Sequence, residues 1–173
     1  NVSDHWGPRF SHQTVVFDNK IWVLGGRYEG SEYVSSNNND IWYSSDGINW
    51  TKVEVSGHWS PRSSHRAIVF ENNLWVMGAY LDNESPKNDI WYSSDGVNWT
   101  NAAVSNHWTP RYDHTIVVFD NKMFVMGGND HYFGNLMSNM IKNDVWYSSD
   151  GLNWTENDNI ERWSPRFAHT SVV

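Results

Sequence analysis

The chain has 173 residues, of which 39% are hydrophobic and 16% aromatic, and it carries a formal net charge of −8. No run of Lys or Arg occurs, which argues against binding to nucleic acid or to an anionic membrane surface, because both usually require a basic face. The absence of cysteine excludes disulfides, zinc–thiolate sites and cysteine nucleophiles, and no apolar stretch is long enough to cross a membrane.

Four short strands are predicted in the first third of the chain, where apolar and β-branched residues alternate with polar ones. We expect strand A at residues 12–17, strand B at 21–25, strand C at 40–44 and strand D at 49–53. Asp18-Asn19-Lys20 joins A to B, and Asn tolerates the left-handed backbone angles of a tight turn. No segment shows a clear apolar period of 3.6 residues, so the sequence predicts an all-β protein.

A stretch of thirteen residues recurs almost unchanged at 39–51, 88–100 and 143–155. Asp46-Gly47 lies at its centre, between two runs rich in aromatic and β-branched residues. An Asp-Gly pair in this setting predicts a two-residue hairpin in which both turn residues have positive φ. Each copy is therefore expected to join strand C to strand D.

The hairpin belongs to a longer repeated unit that opens on Trp-x-Pro-Arg-x-x-His. The first residues of the four copies are Trp6, Trp59, Trp108 and Trp163, which gives a period near 50 residues. Periods of this length are typical of propeller blades.

The repeated residues resemble the kelch repeat. Gly25-Gly26 ends strand B, and Tyr43 and Trp50 follow at the kelch spacing. Gly127-Gly128 repeats the pattern, whereas the middle unit has Gly78-Ala79 instead of two glycines. The resemblance implies a β-propeller of four-stranded antiparallel blades with galactose oxidase-type architecture. It places three blades at about 10–55, 63–104 and 112–157, with the first strand of a fourth at about 167–173.

The hairpin also resembles the Asp-box of sialidase-type propellers. The usual pattern has one more residue between the aspartate and the tryptophan than Asp46 and Trp50 provide. Because turn residues recur for local reasons, we favour convergent turn chemistry over a shared function.

Strand direction alternates within a blade, so the A–B and C–D turns are expected on one face of the ring. The B–C connections and the Trp-x-Pro-Arg segments are then expected on the other face. The B–C connections are long and differ between units, at residues 26–39, 79–88 and 128–143. Because function on a repeat scaffold usually lies in the loops that differ, we expect the ligand site on this second face.

Repeated histidines and arginines are interpreted first as parts of the blade architecture, since every unit contains them. In a second interpretation, the arginines converge at the channel mouth and hold a carboxylate through paired hydrogen bonds. The channel-mouth residues are Arg9, Arg62, Arg111 and Arg166.

The residues that break the repeat form the predicted ligand site. Aromatic rings beside carboxylates and amides suit a sugar or a peptide, because they combine stacking with directional hydrogen bonds. The candidates are Arg27, Tyr28, Glu29, Tyr33, Tyr80, Asp82, Asp130, His131, Tyr132 and Phe133. Alternatively, each loop folds its aromatics onto its own blade.

We therefore expect a non-enzymatic recognition module that binds a protein or carbohydrate ligand, with no catalytic residue, metal or other cofactor. Galactose oxidase chemistry, as the resemblance would import it, needs a cysteine crosslinked to tyrosine, and cysteine is absent. The alternative is a sugar-processing propeller enzyme, sialidase-like or sialic-acid isomerising, with arginines holding a carboxylate. Its acid and base would come from the unrepeated residues Glu29, Glu32, Asp82, Glu84, Asp130 and His131.

Strand A is predicted four times, whereas strands B, C and D are each predicted three times. Closed propellers usually have four to eight blades. We expect further blades from the same longer chain to close the ring, with a second copy of this chain as the alternative. The compartment stays open, with a slight preference for an extracellular or periplasmic location.

Overall fold

The computed structural model describes residues 6–29, 35–82, 84–131, 140–158 and 161–173, with the backbone alone described at Glu29 and Ser35. In these residues all regular structure is β, arranged as three antiparallel sheets without a helix. The predicted all-β fold is thus confirmed. Within the same residues no helix is present that has the length and apolarity to span a membrane. We call the sheets blades 1, 2 and 3 in chain order.

Blades 2 and 3 each contain four strands that pair in chain order, and blade 1 contains the same four with a fifth, short strand. Blade 1 contains β1 (Arg9–Phe10), β2 (Gln13–Phe17), β3 (Lys20–Glu29), β4 (Ser35–Ser44) and β5 (Thr51–Val53). Its additional short strand β1 pairs with the far end of β3. Blade 2 contains β6 (Arg66–Phe70), β7 (Asn73–Ala79), β8 (Lys87–Ser93) and β9 (Thr100–Ala102). Blade 3 contains β10 (Thr115–Phe119), β11 (Lys122–Asn129), β12 (Ile141–Ser148) and β13 (Thr155–Glu156). Residues 161–173 carry no strand.

Strands B and C extend further than predicted in blade 1. Gly25 and Gly26, expected to end strand B, instead form a bulge with φ of 55° and 102°. The register shifts between Leu24 and Gly26, after which Gly26 pairs with Asn38. Glycine permits this because a residue without Cβ takes positive φ at little cost. The bulge lets β3 continue towards the loops.

The A–B turn is the tight two-residue hairpin of this fold. Phe17 pairs with Lys20, and the two residues between them, Asp18 and Asn19, have φ of 49° and 54°. Two consecutive residues with positive φ define a type I′ turn, whose twist matches that of the flanking strands. The corresponding residues of blades 2 and 3 also have positive φ.

The C–D connection is wider than the predicted two-residue hairpin. Tyr43 pairs with Thr51, so the prediction of a two-residue turn at Asp46-Gly47 is wrong. Gly47 has a φ of 74°, but Asp46 is not among the residues with positive φ. Side-chain oxygens close the loop instead. The Ser44 hydroxyl oxygen accepts the Gly47 N–H at 2.9 Å, and Asp46 Oδ1 accepts the N–H groups of Ile48 and Asn49 at 2.8 Å.

Each C–D hairpin after the first fills a space beside the preceding blade. A Cβ placed at Gly96 would lie 2.2 Å from Trp22 Cη2, and one at Gly151 would lie 2.3 Å from Trp75 Cη2. Glycine is therefore required by this packing as well as by its backbone angles. The corresponding residue on β11 is Phe124, a smaller aromatic ring.

The hydrophobic core consists of two clusters, one between blades 1 and 2 and one between blades 2 and 3. Trp59 and Trp99 meet edge to face with ring centroids 4.3 Å apart, and both are buried. Trp108 and Trp154 repeat the arrangement at 4.6 Å. The repeated tryptophans thus pack in pairs within the core.

The Trp-x-Pro-Arg segments join each blade to the one before it. The backbone N–H of Arg62 donates to Asn38 O at 3.0 Å, and Arg62 O accepts the N–H of Gly26 at 2.9 Å. At the inner end, the N–H of Ser64 donates to Ser11 O at 3.0 Å. The same inner bonds run from Asp113 to Ser64 and from Ala168 to Asp113. The strands that follow these residues, β2, β6 and β10, lie beside one another.

Repeated histidines pack against glycines of the preceding blade. His65 and His114 are completely buried. A Cβ added at Gly25 would lie 3.1 Å from His65 Cε1, and one added at Gly78 would lie 2.8 Å from His114 Cε1. Burial, together with the nearby arginines, lowers the pKa of both imidazoles well below the usual value. These histidines are therefore neutral members of the blade architecture.

Candidate recognition face

The surface formed by the B–C connections and the Trp-x-Pro-Arg segments is called the loop face, and the surface formed by the A–B and C–D turns the hairpin face. On the loop face, the residues after each Pro-Arg lie against the end of strand B in the same blade. Phe10 pairs with Arg27, Ser63 bridges to Tyr80, and Tyr112 bridges to Asn129. Residues that are distant in sequence thus meet at the same end of each blade.

The predicted site residues of blades 1 and 2 meet in an ion pair. Arg27 Nη1 lies 3.0 Å from Asp82 Oδ1, and its guanidinium carbon lies 5.6 Å from the centre of the Tyr80 ring. Asp82 Oδ2 also accepts the backbone N–H of Asn37 at 2.8 Å, and Tyr80 O accepts a hydrogen bond from the Asn37 amide at 3.2 Å. The irregular loops of the two blades therefore hold each other in place.

Tyr80 also contacts blade 3. Its ring meets that of Tyr112 edge to face, with centroids 5.3 Å apart. Burial raises the pKa of Tyr112, and the carboxylates of Asp113 and Asp130 raise it further. Tyr112 was not predicted as a site residue. The sequence did contain a signal for it, because this repeat position differs between units, with Phe10, Ser63 and Phe167 at the positions that correspond to Tyr112.

Blade 3 adds a second ion pair to the loop face. Asp130 Oδ2 lies 2.6 Å from Lys142 Nζ, and the backbone N–H of Asp130 donates to Met140 O at 3.0 Å. The backbone N–H of His131 donates to Asn129 Oδ1 at 2.8 Å. These hydrogen bonds and the ion pair therefore hold in place the start of the loop that contains His131.

The other predicted ligand residues are placed only in part. Tyr28 lies on β3, with 39% of its surface exposed. Glu29 ends the same strand, where its backbone alone is described. Tyr33, Tyr132 and Phe133 lie outside the described residues.

Three of the channel-mouth arginines are engaged by aspartates of their own blades. Arg62 is completely buried, and its Nη1 and Nη2 donate to Asp89 Oδ1 and Oδ2 at 2.9 and 2.8 Å. Arg62 Nη1 also donates to Gly78 O at 3.2 Å. Arg9 with Asp40, and Arg111 with Asp144, repeat the arrangement.

Pairing with an arginine also determines the direction in which the pKa of each of the three aspartates is shifted. Burial alone would raise the pKa of Asp89, but the hydrogen bonds and charge of Arg62 outweigh it and leave the pKa below the usual value. Asp40 and Asp144 behave in the same way with their own arginines. Arg9, Arg62 and Arg111 therefore already bind a carboxylate each and serve as blade structure. Arg166 differs, because it is exposed. Its Nε donates to Ser164 O at 3.1 Å, and the other three arginines make the same bond to the residue two positions before them.

Arg66 and Asp113 are further loop-face candidates that sequence reasoning missed. Arg66 Nη1 donates to His65 O at 3.3 Å, and its Nε donates to His114 O. Burial lowers the pKa of Arg66, and the nearby Asp113 carboxylate opposes that effect. Both break the repeat, since blade 1 has Gln13 and Ser11 at these positions. Among the described residues, no group of three or more His, Asp or Glu side chains is arranged to hold a metal ion.

Comparison with known proteins identifies relatives of this chain. The model of the KLHDC2/KLHL20/DRC7 Kelch-repeats domain matches residues 3–173. A tRNA wybutosine-synthesizing protein 2/3/4 from Oryza sativa subsp. japonica is 37% identical over 78 residues, which make up 44% of this chain and 7% of that protein. The Kelch repeat protein M-T8 of Myxoma virus is 37% identical over 75 residues, which make up 42% of this chain and 13% of that protein.

The solved structure of YjhT aligns with 90% of this chain and 54% of its own, at a TM-score of 0.70 and 14% sequence identity. This likeness shows a shared fold. The chain spans about half of that solved chain and a small fraction of the two relatives.

Proposed function

This chain belongs to the kelch-repeat family, and on that basis we propose that it is a non-enzymatic recognition module that binds a protein or carbohydrate ligand through its loop face. The observation that carries the proposal is the meeting of unrepeated residues from three blades on one surface. Arg27 of blade 1 contacts Tyr80 and Asp82 of blade 2, and Tyr80 contacts Tyr112 of blade 3.

This surface has the composition of a binding site. Aromatic rings provide apolar contact, and Asp82, Asp130 and Asp113 provide hydrogen-bond acceptors beside them. The proposed ligand residues remain those predicted from the sequence, with Tyr112, Arg66 and Asp113 added. Function on a repeat scaffold usually lies where repeats differ, and these positions differ between blades.

The sugar-processing alternative requires arginines that are free to hold a substrate carboxylate. Arg9, Arg62 and Arg111 give this alternative no support, because each is paired with an aspartate through two hydrogen bonds. Recognition without catalysis is therefore the proposal that the described contacts support better.

The proposal includes a complete ring made with further blades from the same longer chain or with a second copy. In blades 1 and 2, the strand-B tryptophans Trp22 and Trp75 are covered by glycines of the next blade. Phe124 holds the same position in blade 3 and borders a cavity of about 570 Å³ with Val117, Met126 and Val172. Light scattering tests this part of the proposal, because an uncovered apolar edge promotes association. A stable monodisperse monomer of residues 1–173 would contradict it.

Binding arrays of glycans and proteins test the recognition proposal, with the double variant Tyr80→Ser and Tyr112→Ser as the probe. We expect the variant to lose at least tenfold in affinity for any ligand found, while the control Ile48→Ser, on the hairpin face, binds normally. Asp113→Asn provides a second loop-face variant that retains both rings.

Sialosides are tested for turnover in parallel. Turnover by the parent chain would favour the enzyme alternative. A ligand whose binding survives all loop-face variants would place the site elsewhere and contradict the proposal.

A further inference from the structure

A second cavity lies away from the loop face, at the outer edge of the seam between blades 2 and 3. It has a volume of about 480 Å³ and lies between β9 with the residues after it, on one side, and the C–D hairpin of blade 3 on the other. Its lining includes Tyr92, Asn101, Ala103, Asn106, Asn153 and Trp154. A volume of this size is within the range of small-ligand sites.

The lining of this seam cavity is neutral and combines amides with aromatic rings. Asn101, Asn106 and Asn153 each carry a group that can donate and a group that can accept. Tyr92 and Trp154 line the same cavity, and no charged side chain is among its lining residues. A neutral lining gives no preference for an anion or a cation.

The amide of Asn153 is held in a defined orientation. Its backbone N–H and its Nδ2 both donate to Asp150, at 2.7 Å each. Because a carboxylate only accepts, Nδ2 must face Asp150, and Oδ1 therefore points in another direction as an acceptor. The hairpin that shapes blade 3 thus also fixes one wall of the cavity.

The cavity exists where blade 2 departs from the repeat. Blade 1 has Lys52 and Glu54 at the positions of Asn101 and Ala103. Replacing these long charged side chains with a short amide and a methyl group removes several atoms from the outer edge of the blade. More room is therefore available beside β9 than beside β5.

We propose that the seam cavity binds a neutral saccharide. Sugar hydroxyls both donate and accept, as amides do, and the apolar face of a sugar ring suits the half-buried ring of Tyr92. A peptide added as a further strand fits less well, because β9 has three residues and its Ala102 O already accepts the N–H of Val104 at 2.7 Å. The site is separate from the loop face and does not rest on the proposed function.

Nuclear magnetic resonance on the isotopically labelled chain tests the proposal. Glucose, galactose, mannose and N-acetylglucosamine are titrated singly to about 10 mM, which covers Kd values near 1 mM. We expect at least one sugar to give saturable shifts in the side-chain amides of Asn101, Asn106 and Asn153. A neutral peptide of Ser, Thr and Asn is titrated for comparison.

The blocking variant transfers the residues of blade 1 to blade 2, as Asn101→Lys with Ala103→Glu, which leaves the net charge unchanged. We expect affinity for the sugar to fall at least tenfold, with an unchanged melting temperature because blade 1 tolerates the same residues. The control Ile48→Ser, at an exposed residue of the blade 1 hairpin that does not line the cavity, should bind as the parent chain does. Should the double variant not fold, Ala103→Glu alone is expected to weaken binding in the same direction.

Three outcomes would overturn the proposal. The first is the absence of shifts at the cavity amides with every sugar. The second is sugar binding that persists at full strength in folded Asn101→Lys/Ala103→Glu or Ala103→Glu. The third is a response of these amides to the peptide and to none of the sugars, which would assign the cavity to a different ligand class.

Discussion

The two faces of this protein are built by different means. On the hairpin face, three copies of one sequence make the same internal hydrogen bonds, as in the loop where Asp95 Oδ1 accepts the N–H groups of Val97 and Asn98. On the loop face, residues that differ between units make side-chain contacts across a seam, as Arg27 does with Asp82. The repeated hairpin residues thus bond within their own blade, whereas these unrepeated residues add side-chain contacts between blades. We expect stability to depend mainly on the first group and ligand selection on the second.

The largest effect is expected in the repeated core. Trp99→Ala should lower the free energy of unfolding by about 3–5 kcal/mol, because it removes a large buried ring that packs against Trp59. Trp50 has the same repeat position but is only half-buried, so Trp50→Ala should cost less, about 1–2 kcal/mol. Chemical denaturation measures both, and a loss under about 1 kcal/mol for Trp99→Ala would contradict the assigned packing.

Two ion pairs sharpen the comparison between repeated and unrepeated residues. Asp89→Asn leaves the fully buried Arg62 without its charge partner and should cost about 3 kcal/mol. Asp82→Asn breaks the more exposed pair with Arg27 and should cost less than about 1 kcal/mol. Urea denaturation of both variants under identical conditions gives the ratio of the two losses in the free energy of unfolding. Equal losses would show that the unrepeated pair Arg27–Asp82 contributes as much stability as a repeated arginine pair.

As the pH is lowered, the buried histidines should destabilise the protein first, and the paired aspartates only at lower pH. His65 and His114 have lowered pKa values when folded, whereas in the unfolded chain they bind protons near pH 6.5. The unfolded state therefore binds more protons, and stability falls as the pH falls through this window. The expected loss between pH 7 and pH 5.5 is about 2 kcal/mol for the two histidines together.

The aspartates with lowered pKa values affect stability in a separate, lower pH range. They are Asp40, Asp89 and Asp144. Their stabilisation is complete above the unfolded value near 3.8 and is lost as the pH falls below it. Denaturation curves recorded at several pH values distinguish the two windows. Constant stability from pH 7 to pH 5.5 would contradict the neutral burial of the histidines.

The smallest effect on stability is expected for exposed residues on either face. Tyr28→Ser removes a ring that is 39% exposed and should change the free energy of unfolding by less than about 1 kcal/mol. Ile48→Ser, on the hairpin face, removes a side chain that is 74% exposed and should change it by less than about 0.5 kcal/mol. Only Tyr28→Ser should weaken ligand binding, and equal binding by both variants would remove Tyr28 from the proposed site.

For Tyr132 and Phe133, which lie outside the described residues, the prediction from the sequence is of the same kind. Their joint replacement should abolish ligand binding with nearly unchanged thermal stability, because loop tips contribute little to a core. A melting temperature lowered by many degrees would instead give the two aromatics a structural role.

Local signals made the strands and the tight A–B turn predictable, whereas the geometry of the C–D turn needed the structure. The tight turn predicted at Asp18-Asn19-Lys20 is present as a type I′ turn, but the connection through Asp46-Gly47 is wider than the predicted two-residue hairpin. The serine and aspartate side chains of the C–D loop replace strand-to-strand bonds, and hydrogen bonds to the backbone and side chain of Asn98 lower the pKa of Asp95 to about 2. Turn-forming residues show where the chain reverses. They do not show how long the loop is, because side-chain hydrogen bonds can hold residues in the loop that would otherwise pair between the strands.

The sequence by itself determined the period, the order of the strands, the all-β class and the face on which the blades differ, because each of these follows from residue patterns that repeat along the chain. Only the tertiary structure decided the partners of the unrepeated residues. Arg27 meets Asp82 across 55 positions, and Tyr80 meets Tyr112 across 32. The structure also decided that Arg62 holds Asp89. These contacts depend on how adjacent blades lie against each other, and that arrangement comes from glycines, tryptophans and histidines packing across the seams, which a pattern along one chain does not contain.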